Sequence, residues 1–246
     1  MKTSNKILLS LFALIIISIT IILFVVGNDV KFGTTSDEKL GNAEQLRNLP
    51  HFNKIEIESR FNVHYTQDTF QKVVVKADSS LIELATTEVS NDKLFLHSKK
   101  RLRNRQHIDV YVTTDSIIEV KSSAGGTFKT LRKMNVYQFD GSGSAGAVYK
   151  VEGNFTNLKL DFSAMCVGDF SGTCKNLGIE ASAGSVLNAD NLVADKGNVS
   201  ASAGSVSRIN VTSELSVSAS SGSVIKCSGN PQIRSINISS GAQFIK

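Results

Sequence analysis

A short run of small residues returns through the second half of the chain at nearly constant spacing. It reads SSAGG at 122–126 and ASAGS at both 181–185 and 201–205. The position after the central small residue recurs every 21, 19, 19, 20, 18 and 19 residues, at Gly125, Gly146, Met165, Gly184, Gly204, Gly222 and Gly241. A fixed period near 20 residues is typical of solenoids, in which each short unit stacks on the next. The period therefore predicts a stack of rungs and argues against most enzyme classes.

Side chains before each small-residue turn alternate in character. Apolar or small residues take every second place, as in Leu158, Leu160, Phe162 and Ala164, or Leu215, Val217, Ala219 and Ser221. Alternation with a period of two predicts strands with one face inward. We expect Ala and Ser to fit a narrow inner corner, where Gly permits a positive φ or a close backbone approach. At about 19.5 residues per rung, residues 51–246 would form an all-β solenoid of roughly ten rungs.

Two repeats depart from this pattern. Met165 stands where the other copies carry glycine, which argues against a positive-φ turn in that rung. Gly141 and Gly143 replace inward apolar residues of the second repeat, which predicts a distorted rung. Cys166 occupies the place of a turn serine, so we interpret it as a small buried residue, with a disulfide to Cys174 as the alternative.

The N-terminus has a different composition. Ile7–Val26 is twenty residues long without a charge, enough to span a bilayer as a helix. A secretory signal peptide usually has a shorter apolar region of about 7–15 residues and a small-x-small cleavage site, which is missing here. We therefore predict a signal-anchor helix over 1–26, with a cleaved signal peptide or a buried helix as alternatives. Residues 27–50 are polar and predict a linker with a short helical turn around Asn42–Asn48.

One loop holds a concentration of positive charge. The net charge of the chain is +5, and a segment of seven residues contains as many cations: Lys99, Lys100, Arg101, Arg103 and Arg105. Such a loop is a candidate site for the phosphate, sulfate or uronate groups of an anionic ligand. The alternative is a solvated connection whose charge keeps a sheet edge from pairing. Nucleic acid is excluded as a partner, because the segment is expected to be exported and lacks interleaved aromatic residues.

Residue patterns that support catalysis or metal binding are missing. The four histidines show no metal-ligand spacing, and no nucleophile-elbow or phosphate-loop motif occurs. Glycoside hydrolysis needs two facing carboxylates, but the aspartates of the repeats fall in different phases: Asp140, Asp161, Asp169, Asp190 and Asp195. We therefore predict no catalytic residues, no metal site and no cofactor.

Taken together, the opening FNKIEIESRFNVHYTQ at 52–67 and the recurrent Ser-Ala/Ser-Gly turns resemble the auto-transporter adhesin head GIN domain family. The resemblance covers residues 52–246, nearly all of the exported part. It implies a right-handed parallel β-helix and a location in the bacterial cell envelope, mostly in Bacteroidetes. The family has no established catalytic residues to carry over.

These observations predict a non-catalytic, exported envelope protein that binds glycan or protein as an adhesion module, on the periplasmic or surface side of a membrane. A structural or self-assembling scaffold is the alternative. No C-terminal cap is visible after Gly241, so end-to-end self-association is expected in that case. A polysaccharide-active enzyme on a β-helix is the third hypothesis.

Overall fold

Strands dominate the computed structural model, which describes residues 43–103 and 106–246. In this part of the chain one 17-stranded sheet coils into a solenoid of about seven turns, with a single short helix. The elements are β1 (Ala43–Arg47), β2 (Lys54–Glu58), β3 (Phe61–Gln67), β4 (Lys72–Ala77), α1 (Ser79–Ile82), β5 (Ala85–Ser90), β6 (Lys93–Ser98), β7 (Ile108–Thr114), β8 (Glu119–Ser123), β9 (Thr127–Thr130), β10 (Met134–Gly143), β11 (Val148–Phe162), β12 (Val167–Ala181), β13 (Val186–Ala201), β14 (Val206–Ala219), β15 (Val224–Ser228), β16 (Gln232–Ile238) and β17 (Gln243–Ile245).

The prediction of roughly ten rungs is wrong, because part of the N-terminal region does not follow the coil. After β3 the chain makes β4, which pairs antiparallel with β1 and β7, and then β5, which pairs antiparallel with β6. The coil resumes with β6 and β7, which pair with one edge of β2 and β3. The next strands, β8 and β9, pair with the opposite edge of β2 and β3 and continue the stack. The antiparallel strands cover the end of the stack and add no rung of their own.

Two N-terminal predictions meet the structure differently. The hydrophobic helix predicted over 1–26 lies outside the described residues, as does most of the predicted linker. Ala43–Arg47, at the end of that linker, is strand β1, so the helical turn expected around Asn42–Asn48 is wrong for these residues. Within the described ranges, every helix is too short or too polar to cross a membrane.

The small-residue turns all share one backbone conformation. Both central residues have positive φ, as at Ala183 (+47°) and Gly184 (+71°). The Ser185 N–H then donates to the Ser182 carbonyl at 3.1 Å, which closes a type I′ turn. The same φ signs occur at Ala124–Gly125, Ala145–Gly146, Ala164–Met165, Ala203–Gly204, Ser221–Gly222 and Ser240–Gly241. Met165 has a φ of +61°, so the expectation that this turn would differ is wrong.

Stacking explains how a methionine is held in that conformation. The Met165 N–H donates to the Ala183 carbonyl of the next turn at 3.0 Å, and the Gly184 N–H donates to the Ala203 carbonyl at 3.0 Å. Each turn is thus hydrogen-bonded to the turn that follows it. The neighbouring rungs impose the left-handed conformation on Met165, although an L-residue disfavours it by about 1–2 kcal/mol.

The turn residues do not form the narrow inner corner that the sequence predicted. Ala183 and Gly184 are exposed, and the first buried residue comes after them. Ser185 is fully buried and donates its hydroxyl to the Phe162 carbonyl at 3.1 Å; Ser205 and Ser223 make equivalent bonds. Cys166 takes this buried place in its own rung as a free thiol, and burial raises its pKa to about 12. The small residues therefore fit the left-handed backbone of the turn. The serine after them fits the buried core, where its hydroxyl is hydrogen-bonded.

The second repeat is regular, contrary to prediction. Its strand β10 pairs with β11 without a break from Gln138 to Gly143. A Cβ at Gly143 would collide with the Cys166 sulfur and would also crowd the ring of Tyr149. The Tyr149 hydroxyl donates to the Val120 carbonyl at 3.0 Å, and its ring centroid lies 4.9 Å from that of Phe162. The glycines make room for large rings in the core.

Candidate functional site

Two grooves lie on one surface of the solenoid, formed by the strands that lead into the type I′ turns. We call this surface the groove face. Parallel pairing places equivalent residues of successive rungs in columns, such as Asp140, Lys159, Gly178 and Asn198, or Ser142, Asp161, Glu180 and Ser200. Neighbouring members of a column are about 4.8 Å apart, the spacing of adjacent strands. The groove face therefore presents mostly polar side chains at regular intervals along the solenoid axis.

The main groove has a volume of about 670 Å³. Its lining consists of Gln138, Asp140, Asn157, Leu158, Lys159, Asn176, Leu177, Gly178, Ile179, Glu180, Asn198 and Ser200. The side chains of Leu158, Leu177 and Ile179 belong to the buried core, and the polar side chains form the walls of the groove. Gly178 leaves a gap in the wall, because the nearest atom to a Cβ placed there would be the Leu158 carbonyl oxygen at 3.9 Å.

Side-chain amides form the most regular feature of this groove. Gln138, Asn157 and Asn176 are in register, and the Asn176 amide N–H donates to the Asn157 amide oxygen at 2.9 Å. Gln138 donates to a carboxylate oxygen of Asp140 at 2.9 Å. Each amide offers two donors and an acceptor with two lone pairs, so these bonds leave several hydrogen-bonding positions open to a ligand.

A second ladder of polar side chains runs beside the first, at the preceding bend of the coil. The Asn154 amide N–H donates to the Asn135 amide oxygen at 2.7 Å, and the Thr173 hydroxyl donates to the Asn154 amide oxygen at 2.8 Å. Neither ladder was predicted from the sequence. The signal was present, because Asn135 and Asn154, like Asn157 and Asn176, are separated by 19 residues, which is one repeat.

A smaller groove of about 240 Å³ lies nearer the N-terminal end of the groove face and is more charged. Its lining includes Glu56, Glu58, Lys121 and Asp161, together with serines of the turns. Lys93 borders this region, 3.1 Å from Glu56 and 3.2 Å from Glu119. Desolvation acts to lower the pKa of Lys93, but the hydrogen bonds to the two glutamates outweigh it and raise the pKa. The charges at this end are therefore largely paired with one another.

The basic loop lies apart from both grooves. It connects β6 to β7, and its described cations Lys99, Lys100, Arg101 and Arg103 are exposed, while Arg105 lies outside the described residues. Leu102 is buried and fixes the loop to the core, and the Arg103 N–H donates to the Gln106 side-chain oxygen at 2.8 Å. No ion pair involves these four cations within the described residues. The loop thus presents unneutralised positive charge, and its binding of an anionic ligand stays a prediction.

The structure also assembles a polar cluster that the sequence did not indicate. His64 and His107 lie 3.0 and 3.6 Å from the two carboxylate oxygens of Asp109, and the Asn62 amide donates to Asp109 at 3.2 Å. Burial acts to raise the pKa of Asp109, but the hydrogen bonds from His64 and Asn62 outweigh it and lower the pKa. The His64 ring stacks on Tyr111, with centroids 4.7 Å apart. Among the residues described, no group of His, Cys, Asp or Glu side chains is arranged so that it could hold a metal ion.

Comparison with known proteins gives a family and a fold. The family model described as "Putative auto-transporter adhesin, head GIN domain" matches residues 51–231. No curated protein matches the chain. A crystal structure of a "putative adhesin" from Bacteroides fragilis NCTC 9343 aligns with a TM-score of 0.67 at 20% identity, covering 85% of this chain and 96% of that one.

Two further structures come from Parabacteroides distasonis ATCC 8503. A "putative adhesin" aligns with a TM-score of 0.66 at 15% identity, over 85% of this chain and 98% of that chain. A "putative lipid binding protein" aligns with a TM-score of 0.62 at 14% identity, over 84% and 97%. At these identities the likeness establishes a shared fold and leaves the ligand open.

Proposed function

Because the chain belongs to the auto-transporter adhesin head GIN domain family, we propose that it is a non-catalytic binding module of the bacterial envelope whose groove face binds a linear glycan. The observation that carries this proposal is the column of Gln138, Asn157 and Asn176 in the main groove. The names of the structural neighbours, adhesin and lipid-binding protein, likewise describe binding rather than catalysis.

The chemistry of the groove suits a ligand rich in hydroxyl groups. Amides and serine hydroxyls both donate and accept hydrogen bonds, the carboxylates of Asp140 and Glu180 accept them, and the Lys159 ammonium donates them. The polar groups recur once per rung, and a polymer lying along the solenoid axis also repeats. Successive sugar units would therefore meet successive copies of the same contacts.

The full chain should be tested against an array of neutral and acidic glycans, with affinities then measured by calorimetry. Gly178→Tyr fills the gap in the groove wall without a backbone clash, and we expect it to weaken binding by about tenfold or more. Ser218→Tyr is the matched control, since Ser218 is exposed on the same face outside the groove lining. Equal affinity of both variants, or no bound glycan on the array, would contradict the proposal. Cleavage of a bound glycan would favour the enzyme hypothesis.

The basic loop supplies a second contact in this scheme. Its exposed cations are suited to sulfate, uronate or phosphate groups on an acidic glycan or a lipopolysaccharide. Changing Lys99, Lys100, Arg101 and Arg103 together to Gln should weaken binding of acidic glycans alone. An unchanged preference for acidic over neutral glycans would assign the loop no role beyond connecting two strands.

Family membership supports an exported, envelope location, on the periplasmic or the surface side. We propose in addition that the apolar segment 1–26 anchors the chain in a membrane. The scaffold alternative has its own observation, since Ile236 and Ile238 on β16 are in register with the buried Val217 and Ala219 of β14, yet they are 52% and 37% exposed. Pairing of this edge with a second copy would cover them, and sedimentation of the full chain in detergent as a monomer at all concentrations would contradict that alternative.

A further inference from the structure

Large apolar side chains are exposed together at one bend of the solenoid, where β3, β7 and β9 end. Leu46, Phe70, Leu131 and Tyr137 are 60%, 54%, 47% and 72% exposed. We call this set the apolar corner. Exposed apolar residues are ordinary when scattered, but a cluster of large ones on loops marks a surface that meets another apolar phase. The groove face is formed by other strands, β2, β8 and β10–β13, and it meets the corner only on β10, where Tyr137 precedes the groove residue Gln138.

Hydrogen bonds hold the loops of the apolar corner side by side. The Leu131 N–H donates to the Tyr65 carbonyl at 2.8 Å, at the end of β3. The Gln67 side chain donates to the Asp115 carbonyl at 2.8 Å and exchanges two further bonds with the Asn135 backbone. The Gln71 side chain donates to the Leu49 carbonyl at 2.9 Å, which fixes the loop 68–71 to the end of β1. Phe70 and Leu131 are therefore presented by ordered loops, and Leu46 and Tyr137 by the strands β1 and β10.

Strand pairing sets the size of this surface. The strand ends follow one another in the order β1, β4, β7, β3 and β9. At about 4.8 Å per strand, the corner extends for about 20 Å along the edge of the solenoid. Part of it is a groove of about 560 Å³ between β1 and β4, lined by Leu46, Leu49 and Phe70 with Val73 at its base. A surface of this size can contact several lipid molecules at once.

Positive charge surrounds the apolar side chains. Arg47 and Lys72 line the groove beside Leu46 and Phe70, and Arg132 and Lys133 follow Leu131 directly. Three carboxylates, Asp68, Asp115 and Glu152, lie at the same bend, so the cations exceed them by four to three. Apolar side chains flanked by Lys and Arg are typical of surfaces that bind anionic lipid, where the apolar groups enter the acyl boundary and the cations meet the phosphates.

We propose that the apolar corner docks on the surface of an anionic phospholipid bilayer. Phe70 and Leu131 enter the boundary between headgroups and acyl chains, and Lys72, Arg132 and Lys133 contact the lipid phosphates. Charge complementarity favours this occupant over a second copy of the chain, because the corner carries an excess of cations that would repel its own copy. The groove face stays free to bind its own ligand while the corner rests on the membrane.

The chain contains no tryptophan, so a single introduced tryptophan reports on its own surroundings. We would place Phe70→Trp and, as a matched control, Met165→Trp in the full chain and add vesicles of phosphatidylethanolamine and phosphatidylglycerol that carry brominated acyl chains. Met165 is 72% exposed on the type I′ turns. Both variants keep residues 1–42, so any attachment through that segment is common to them. We expect a blue shift and about twofold or more quenching for Phe70→Trp and little change for Met165→Trp.

Charge variants complete the test. The double change Arg132→Glu and Lys133→Glu in the Phe70→Trp chain should weaken vesicle binding by about tenfold or more, as measured by tryptophan quenching. Added salt should weaken it as well. The proposal is overturned if both tryptophans are quenched alike, if neither is quenched, or if the charge variants leave the quenching unchanged. A blue shift that grows with protein concentration without lipid would instead assign the corner to a second copy and also overturn it. None of these results depends on whether the groove face binds a glycan.

Discussion

The N-terminal part of the solenoid, residues 43–118, and the repeat part, residues 119–246, reach similar stacks by different means. In the repeat part, each rung copies the backbone of the previous one through parallel pairing and a shared type I′ turn. In the N-terminal part, strands run in both directions and side chains such as Phe52, Phe61 and Tyr65 fill the core. The difference teaches that a recurring turn shapes the rungs of the repeat part, whereas antiparallel pairing shapes the N-terminal part.

The ends of the two parts differ in the same way. At the N-terminal end, α1 and β5 cover the stack, and the α1 residues Leu81 and Ile82 are buried in the core. The last described rung still has the repeat pattern, and its inward-facing Ile236 and Ile238 are partly exposed. Non-repeating sequence thus closes an end, whereas a repeat presents an edge onto which a further layer could add.

The largest effect should come from a backbone position of the repeat part. Gly172 has a φ of +116°, and a Cβ there would overlap the Gly153 carbonyl of the neighbouring rung. We expect Gly172→Ala to lower the free energy of unfolding by about 3 kcal/mol, because it adds a clash to a conformation that L-residues avoid. Urea unfolding followed by circular dichroism measures this.

Gly178→Ala is the control for that prediction, as Gly178 has free space around its Cβ position and no positive φ. It should change the free energy of unfolding by less than about 0.5 kcal/mol. Equal losses at the two glycines would mean that stacked backbones in the repeat part are less constrained than their contacts suggest.

The next effect tests the side-chain contacts of the N-terminal part. The pKa of Asp109 is lowered, so its carboxylate stabilises the fold at pH values above the unfolded pKa of about 3.9, and that contribution disappears as the pH falls through the lower folded value. Asp109→Asn should therefore cost about 1–2 kcal/mol of unfolding free energy at pH 7 and progressively less below about pH 4. Denaturant unfolding across this pH range measures the difference.

Asp161→Asn is the matched change in the repeat part, at an exposed strand position. We expect it to alter stability little at either pH. If Asp109→Asn lost the same unfolding free energy at every pH, the amide would be disrupting packing. The two aspartates would then give no evidence that ionised side chains stabilise the N-terminal part more than the repeat part.

How much the sequence predicts follows the same division. The family is confirmed, and strand residues such as Leu158, Leu160 and Phe162 are buried as predicted, because a repeat shows its pattern many times, whereas Ser221, predicted to face inward, is exposed. The left-handed backbone of Ala183 was not predicted, because alanine itself does not favour the positive φ that the neighbouring rungs impose. The rung count was wrong because β4 pairs antiparallel with the distant strand β7, which leaves no local signal, and because the hairpin of β5 and β6 through Asn91 and Asp92 was not recognised.

The candidate surfaces were predicted unequally as well. The basic loop was visible as a cluster of charge, and the amide column could have been found from the 19-residue spacing of Asn157 and Asn176. The apolar corner could not, because Leu46, Phe70 and Leu131 are far apart in the chain and meet only through non-local strand pairing. Single hydrophobic residues in loops carry no signal until the fold brings them together.

The smallest effect tests how strictly the repeat part depends on its backbone. Met165 is the one turn residue of its column that is not glycine among the seven described turns, and its exposed side chain can contribute little packing. Met165→Gly should therefore raise the free energy of unfolding by about 0.5–1 kcal/mol, because relief of the left-handed strain exceeds the added flexibility of the unfolded chain. The reverse change, Gly184→Met in the next turn, should lower it by a similar amount. If neither change alters the urea midpoint, the stacked hydrogen bonds tolerate side chains at this position freely, and the recurring glycine must then be explained by a requirement of the exposed turn surface.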